Sequence, residues 1–323
     1  LAGLRTVLDA APTIAVLVLT GLADEHQGTA AVAAGAQDYL VKGSIDGQLL
    51  TRAIRYAVER KRADESIRRL YESEVRAAEN RRLERGLLPQ PLVSSHGVNI
   101  VTRYRPGGHQ SLLGGDFYDV VECKDGVVYA VIGDVAGHGP DEAALGVCLR
   151  IAWRTLVLAG ADPDSILASM DSVLLSERSS VEVFATVCMV RVDRRHGKAS
   201  FWLAGHPMPA IIDGREVRPL PEHAAGTALG IVDDAQWTAT DVPVRSGSMV
   251  MMFTDGLIEG YAGHDDRTRL GESALHDVIT RLLAQALDRS ALADALLREV
   301  QDRNGGELTD DVALLLLSWA PDA

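Results

Sequence analysis

The spacing of apolar and polar positions divides this chain into three parts, and the first part alternates short helices with short strands. In residues 1–45, helical patterns at Leu4–Ala11 and Asp24–Ala34 alternate with apolar strand patterns at Ile14–Thr20 and Asp38–Val41. The continuous apolar run Ile14–Thr20 is typical of a strand buried on both faces of a parallel sheet. We therefore predict a small α/β segment with a parallel sheet.

One long helix is predicted from about Ser44 to Leu88, and it makes up most of a second segment, residues 46–90. The helical stretch contains no proline, and its apolar residues recur mostly three or four positions apart, at Leu50, Ile54, Ala57, Ile67, Leu70, Tyr71, Val75 and Ala78. A helix of roughly 40 residues with one narrow apolar stripe usually pairs with another helix, so we expect a coiled-coil homodimer. The alternative is a solvated spacer, because the charged run Glu59–Asp64 interrupts the stripe.

Residues 91–323 change to a pattern of strand pairs separated by helix pairs. The predicted strands are Val98–Arg105, Phe117–Glu122, Val127–Val135, Val183–Val192, Ala199–Ala204, Ala210–Ile212, Val250–Thr254 and Asp311–Trp319. The predicted helices are Pro140–Ala159, Pro163–Ser176, Ser273–Leu287 and Ser290–Arg303. Asp125-Gly126 is a strong hairpin signal. The pattern predicts a four-layer α-β-β-α sandwich, with two sheets face to face and helices outside.

Composition narrows the functional class. The chain has 323 residues, a hydrophobic fraction of 47% and a net charge of −13. Such acidity argues against a nucleic-acid binder, and no apolar run approaches the ~20 residues that cross a membrane. Three cysteines without CxxC spacing argue against a disulfide framework or a zinc site. We expect a cytoplasmic protein.

Four aspartates carry the candidate chemistry. They are Asp116 in Gly-Gly-Asp-Phe-Tyr-Asp, Asp134 in Gly-Asp-Val-Ala-Gly-His-Gly, Asp255 in Phe-Thr-Asp-Gly-Leu-Ile-Glu and Asp310 in Thr-Asp-Asp-Val-Ala-Leu. Each lies beside an apolar run, as carboxylates do when strand ends bring them to a shared site. A cluster of carboxylate oxygens suits Mg²⁺ or Mn²⁺. Two such ions held close together are typical of enzymes that hydrolyse phosphate esters.

The first segment resembles the second half of a response-regulator receiver domain. The resemblance is carried by Val16–Gly21, Ala34–Leu40 and Lys42. It implies that Thr20 senses the acyl phosphate, that Lys42 pairs with it, and that Tyr39 is the aromatic switch residue. The simpler interpretation is that Thr20 caps a helix and that Lys42 is a surface lysine.

A receiver domain carries its acidic pocket and its phosphoacceptor aspartate on strands that have no counterpart in the matched residues. We therefore expect that this segment is not phosphorylated at the usual place and that it is a truncated domain. A half sheet should also leave one apolar flank of Ile14–Thr20 exposed.

From Leu87 to Trp319 the chain resembles the SpoIIE/RsbU-type serine phosphatases of the PPM (PP2C-like) superfamily. Besides the four aspartate motifs, the resemblance rests on Leu87–Pro89, Phe184–Thr186 and Ala204–Pro207. Any one motif is weak, but seven in the family's order are specific. The resemblance implies a metal-dependent phosphatase for phosphoserine or phosphothreonine, with an anti-anti-sigma (STAS) protein as substrate in a partner-switching pathway.

The resemblance also assigns ligands for two divalent cations, Mn²⁺ or Mg²⁺, that activate water. It implies that Asp134 bridges both ions, that Asp255 and Asp310 hold one, and that Asp116 and the Val135 carbonyl hold the other. In a full-length parent protein, the receiver would act on the phosphatase through the long helix and Leu87–Pro89.

Four further residues near these motifs are expected to have supporting roles or none. Asp119 and Asp311 are expected either to support the metal ligands from behind or to face solvent. His138 and His206 are expected to shape loops rather than transfer protons. Leu112 occupies the position where eukaryotic relatives have a phosphate-binding arginine, so phosphate recognition should differ here.

Two other functions compete with the phosphatase. Gly114–Phe117 superficially resembles the loop of diguanylate cyclases, which also follow receivers, but these enzymes need glutamate where this chain has Phe117. A phosphatase fold that only docks a partner is the second alternative. Loss of metal ligands would favour it, and all four aspartates are present.

Overall fold

The chain forms two units in the computed structural model, Leu1–Leu83 and Glu84–Ala323. The residues that the structure describes are 2–21, 25–43, 45–87, 89–95, 97–105, 114–137, 139–263, 266–306, 308 and 310–319.

The first unit contains helices α1 (Ala2–Ala10) and α2 (Glu25–Ala33), strands β1 (Leu17–Thr20) and β2 (Asp38–Val41), and all but the last four residues of helix α3 (Gly47–Leu87). The two strands are parallel, as predicted. Strand β1 begins at Leu17 rather than at Ile14, and the prediction that it is buried on both faces is wrong. Leu19 is 48% exposed and Ile14 is 53% exposed, because β2 is the one strand that pairs with β1 in the described part of the chain. The expected exposure of this apolar flank is confirmed.

Helix α3 extends over 41 residues, from Gly47 to Leu87. It begins after Asp46, whose carboxylate accepts a hydrogen bond from the Leu49 amide at 2.6 Å. This N-cap explains why the helix starts later than the predicted Ser44, since the side chain of Asp46 satisfies a free helical N–H. Ser44 and Leu88 lie outside the described residues. No helix in the described ranges is long and apolar enough to cross a membrane.

The second unit contains most of the secondary structure. Its helices are α4 (Pro140–Ala159), α5 (Pro163–Glu177), α6 (Gly271–Leu283) and α7 (Arg289–Asn304). Its strands are β3 (Val98–Arg105), β4 (Phe117–Glu122), β5 (Val128–Val135), β6 (Ala185–Asp193), β7 (Lys198–Ala204), β8 (Ala210–Asp213), β9 (Glu216–Pro219), β10 (Thr240–Pro243), β11 (Met249–Phe253), β12 (Tyr261–Gly263), β13 (Asp266–Arg269) and β14 (Val312–Trp319).

Two five-stranded sheets form the centre of this unit. The first sheet has the strand order β10-β7-β6-β5-β4, and the second has the order β3-β14-β11-β8-β9. All of their strand pairs are antiparallel.

Successive side chains along each strand alternate between the two faces of the sheet, and the two faces pack into different hydrophobic cores. In β14, Ala313 and Leu315 belong to the core between the two sheets, whereas Leu314 and Leu316 pack with α6 and α7. The first sheet behaves in the same way, with its outer face packed against α4 and α5. Because successive side chains of a strand point to opposite faces, the two sheets can be covered on both sides. The predicted α-β-β-α sandwich is therefore confirmed.

Four strands were not predicted from the sequence, namely β9, β10, β12 and β13. Strand β10 reads Thr-Asp-Val-Pro and β9 reads Glu-Val-Arg-Pro, and both lie at sheet edges. Edge strands carry charges and proline, so they lack the apolar alternation that marks a central strand. Helix α6 also ends at Leu283 rather than at the predicted Leu287, where no proline or glycine marks the boundary.

Candidate metal-dependent site

Two of the predicted carboxylates lie in the hairpin of the first sheet. Asp116 immediately precedes β4, and Asp134 is the next-to-last residue of β5. The two strands are in register at Phe117 and Gly133. Asp116 and Asp134 therefore lie next to each other, one position beyond this pair.

The second sheet supplies the remaining carboxylates. Asp255 lies two residues after β11, and Asp310 and Asp311 immediately precede β14. Because β11 and β14 are antiparallel neighbours, the end of one meets the start of the other. The hydroxyl of Thr254 donates a hydrogen bond to Asp116 Oδ2 at 2.8 Å. This contact connects Asp116 of the first sheet to the segment of the second sheet that carries Asp255.

The pKa values report how strongly these carboxylates interact. Burial raises the pKa of Asp116 well above its usual range, and repulsion from Asp134 raises it further. Burial also raises the pKa of Asp134 to about 8, assisted by repulsion from Asp255, Asp310 and Asp311. The pKa of Asp255 is raised by burial and then by Asp310. The five side chains thus form one electrostatically linked acidic group.

This acidic group fits divalent cations in donor type and in charge. Every candidate ligand is a hard oxygen, and a cation would relieve the repulsion that raises the pKa values. Among the described residues, no three His, Cys, Asp or Glu side chains are already placed so that they could hold a metal ion. The agreement with a divalent cation is therefore one of donor type and charge.

Gly115 makes room for the predicted ligands of the hairpin. A Cβ on this residue would lie 2.3 Å from the Val135 carbonyl oxygen and 2.7 Å from Asp134 Oδ1. The Gly115 carbonyl also accepts the Val135 amide at 3.2 Å. Any larger residue would displace both groups, so this close approach explains why glycine precedes Asp116.

Asp311 points inward, which excludes the alternative that it faces solvent. It is 7% exposed, and a Cβ on Gly114 would lie 1.3 Å from its Oδ2 atom. Asp310 is the exposed member of the pair, and it accepts the amide of Asp311 at 2.8 Å. Two adjacent residues of an extended chain point to opposite sides, which is why only one of them is buried.

Asp119 neither faces solvent nor joins the acidic group. Its carboxylate is fully buried and accepts two hydrogen bonds from Arg154, at 2.6 and 2.5 Å. Arg150 contributes a third contact at 3.4 Å. Because both arginines lie on α4, Asp119 joins β4 to the helix layer, and the alternative that it faces solvent is wrong.

His206 is buried next to the strand that neighbours Asp134. Its Nδ1 atom lies 2.8 Å from Thr186 Oγ1, and Thr186 is paired with Asp134 across β5 and β6. Burial lowers the pKa of His206 to about 3, so the ring is neutral near pH 7 and does not act as a general acid there. His206 follows Gly205, which adopts a left-handed φ of 65°, in agreement with the expected loop position. His138 and Leu112 lie outside the described residues.

Sequence reasoning missed the hydroxyl groups that orient the acidic group. Thr254 contacts Asp116, and Thr186 contacts His206. The hydroxyl of Tyr104 accepts the Gly114 amide at 2.8 Å. Thr254 and Thr186 lie within motifs that were recognised, but their partners are distant in sequence and no local pattern reveals them.

The acidic group leads to a prediction about pH and stability. In EDTA, we expect the free energy of unfolding to fall by on the order of 1–2 kcal/mol between pH 6.5 and 8.5. The pKa of Asp134 is about 8 when folded and 3.8 as a reference. A raised pKa in the folded state contributes stability below the unfolded value, and this stability is lost as pH rises through the folded value. Urea denaturation at the two pH values measures the change.

Magnesium should reverse this dependence. With saturating Mg²⁺, protons compete with the cation, so stability should rise or stay level over the same interval. Asp134→Asn removes the titrating group and should flatten the EDTA curve. The same fall in stability with and without Mg²⁺ would contradict the prediction.

Comparison with known proteins identifies relatives for most of the second unit. The family model described as Stage II sporulation protein E (SpoIIE) matches residues 124–320. The match includes Asp134, Asp255 and Asp310, whereas Asp116 lies before its start.

Two curated relatives from Bacillus subtilis (strain 168) are phosphoserine phosphatases. RsbP is 22% identical over 182 residues, which is 55% of this chain and 44% of RsbP. RsbU is 24% identical over 210 residues, which is 64% of this chain and 59% of RsbU. The chain thus spans about half the length of the curated relatives it matches.

A solved structure supports the fold. The SiaA-PP2C domain of Pseudomonas aeruginosa superimposes with a TM-score of 0.63 at 24% identity, covering 78% of this chain and 99% of that domain. The second unit therefore has a PP2C-like fold.

Proposed function

Because the chain belongs to the Stage II sporulation protein E (SpoIIE) family, we propose that it is a metal-dependent protein phosphatase acting on phosphoserine or phosphothreonine. The observation that carries the proposal is the convergence of five aspartates from two sheets into one electrostatically linked acidic group. Similarity to two phosphoserine phosphatases supports the substrate class.

We propose that Asp134, Asp255 and Asp310 hold one cation, and that Asp134, Asp116 and the Val135 carbonyl hold the other. Two bound cations would lower the pKa of water and offset the charge on a phosphate ester. The chain itself supplies rigid placement, since β4 and β5 fix two of the carboxylates and the ends of β11 and β14 fix the others. The neutral, buried ring of His206 supports β6 beside Asp134 without adding charge.

Charge explains why a cation is required for the proposed reaction. The five aspartates repel a negatively charged phosphate. A phosphate ester should therefore approach them only when bound cations offset the charge of the aspartates. Mn²⁺ and Mg²⁺ both accept carboxylate oxygens. The proposal therefore includes either cation.

Phosphate release from a phosphoserine peptide tests the function. We expect turnover with Mn²⁺ or Mg²⁺, none in EDTA, and recovery when the cation is restored. Undiminished turnover in EDTA would overturn the proposal. Tight cation binding without turnover on any phosphopeptide would favour the non-catalytic docking module instead.

We further propose that the protein substrate is a phosphorylated STAS protein of the anti-anti-sigma type. Support comes from the resemblance to partner-switching phosphatases and from similarity to RsbU. The same assay with an intact phospho-STAS protein and with a peptide copied from its phosphosite separates docking from chemistry. A specificity constant no higher for the intact protein would argue against a STAS substrate.

We propose that α3 pairs with α3 of a second copy. Ile67, Leu70 and Tyr71 are each at least 65% exposed, and they lie within two helical turns of α3. Apolar side chains at this spacing gain burial when two helices pair. Sedimentation equilibrium should show a dimer for the whole chain, and Ile67→Glu with Leu70→Glu should yield a monomer. Dimers that persist in this double variant would refute pairing through this stripe.

A receiver origin for residues 1–45 is also proposed. It is supported by the parallel pairing of β1 and β2, with Thr20 opposite Val41. The Thr20 carbonyl accepts the Lys42 amide at 2.7 Å, which keeps the two residues of the resemblance close together.

A further inference from the structure

Thr254 connects the two sheets beneath the acidic group. It is fully buried and immediately follows β11, one residue before Asp255. Its hydroxyl donates to Asp116 Oδ2 at 2.8 Å and accepts the amide of Ala313 at 2.8 Å. One side chain of the second sheet thus fixes a carboxylate that belongs to the first.

The direction of these hydrogen bonds follows from the groups involved. The Ala313 amide can only donate, so it uses a lone pair of the Thr254 hydroxyl. The hydroxyl has a single proton, and Asp116 at 2.8 Å is a better acceptor than the Ala313 carbonyl at 3.5 Å. That carbonyl already accepts the Thr254 amide at 3.0 Å. The arrangement leaves the Thr254 proton for Asp116.

Asp116 needs an external partner to hold its orientation. It precedes β4, the last strand in its sheet, and the Gly115 carbonyl anchors the backbone through the Val135 amide at 3.2 Å. Another rotamer of the buried Asp116 side chain would move Oδ2 away from the Thr254 hydroxyl. The hydrogen bond from Thr254 therefore favours the observed rotamer.

We propose that Thr254 is a positioning residue, which orients Asp116 toward the cations and holds it at a fixed distance from Asp255 on the opposite sheet. This inference rests on the proposed metal-dependent function. Hydrogen bonds to ligating carboxylates fix ligand geometry, and their loss typically weakens metal affinity about 10- to 100-fold.

Ser248 offers a matched control on the same strand. It immediately precedes β11, is 2% exposed, accepts the Arg245 amide at 2.8 Å and donates to the carboxylate of Asp213. It therefore makes the same two kinds of hydrogen bond as Thr254, at the opposite end of β11.

The test compares Thr254→Val, Thr254→Ser and Ser248→Ala in the whole chain by Mn²⁺ titration calorimetry, with urea denaturation in EDTA. We expect Thr254→Val to raise the Mn²⁺ Kd about 10- to 100-fold. Thr254→Ser should stay within about threefold of wild type because it keeps the hydroxyl. Ser248→Ala should lose stability without a change in Kd. Thr254→Ala replaces the valine variant if that variant does not fold.

The outcomes separate this inference from the proposed function. If wild type binds Mn²⁺ and hydrolyses phosphopeptide but Thr254→Val has an unchanged Kd, the positioning role is wrong and the function stands. An equal loss of Mn²⁺ affinity in Ser248→Ala would show that general destabilisation causes the loss in Thr254→Val. That result would also overturn the positioning role of Thr254. If wild type binds no Mn²⁺, the proposed function fails and this inference fails with it.

Discussion

Asp134→Ala is expected to lower Mn²⁺-dependent phosphate release by about 10³-fold or more, the largest effect of any substitution in the chain. The pKa of Asp134 is raised by repulsion from Asp255, Asp310 and Asp311, and Asp134 is the one proposed side-chain ligand of both cations. Its removal would weaken both cation sites at once. Phosphate release at saturating phosphopeptide and several Mn²⁺ concentrations measures the loss.

Stability distinguishes this effect from misfolding. In EDTA at pH 8.5, Asp134→Ala should be at least as stable as wild type, because it removes a repelling carboxylate. Asp277→Ala changes an exposed aspartate on α6 and should retain full activity. Activity of Asp134→Ala within tenfold of wild type would exclude the proposed ligand role.

Arg154→Met is expected to destabilise the fold by about 3 kcal/mol or more. The Arg154 guanidinium donates to both oxygens of Asp119, which has no exposed surface. Its loss would leave a buried carboxylate with Arg150, at 3.4 Å, as its remaining basic partner among the described contacts. Breaking one side of a buried ion pair costs more than the pair contributes, since the remaining charge stays buried.

Urea denaturation with two comparison variants measures this cost. Arg281→Met removes an arginine whose side chain is 50% exposed and pairs with Glu299, so it should cost no more than about 1 kcal/mol. The double variant Asp119→Asn with Arg154→Met should recover part of the loss. A cost for Arg154→Met no larger than that for Arg281→Met would show that Asp119 does not depend on Arg154.

Arg154 also contacts the segment that follows α3. Its Nη2 atom donates to the Gln90 carbonyl at 2.9 Å, and the Leu92 amide donates to the Val120 carbonyl at 2.8 Å. The segment is therefore fixed to β4, the strand that begins next to Asp116. Increased proteolysis near Gln90 should accompany the loss of stability in Arg154→Met.

The sequence was most informative where local chemistry decides the conformation. Helix α4 begins at Pro140 and ends before Gly160, whose left-handed φ of 73° caps it, and both boundaries were predicted. The hairpin between β4 and β5 turns at Gly126, with a φ of 82°, as Asp-Gly predicted. The apolar closing strand was also predicted, at Asp311–Trp319, and β14 extends over Val312–Trp319. These features depend on neighbouring residues, so they can be recognised without a partner.

The structure was needed wherever the partner is distant in sequence. The residues next to Asp119 and Asp311 in the sequence do not indicate that these two side chains point inward. The pairing of Asp119 with Arg154 depends on how α4 packs on β4. The edge strands β9 and β10 exist because a neighbouring strand offers free hydrogen-bonding groups, which a sequence of four residues cannot indicate.

The sequence by itself determined the order of the helices and of the central strands, the sandwich class and the identity of the candidate carboxylates, because these follow from periodicity, turn residues and motif order. Tertiary structure alone decided which carboxylates interact and which hydroxyl orients Asp116. Thr254 and Asp116 are 138 residues apart, and only the packing of one sheet on the other brings that donor within hydrogen-bond distance of its acceptor.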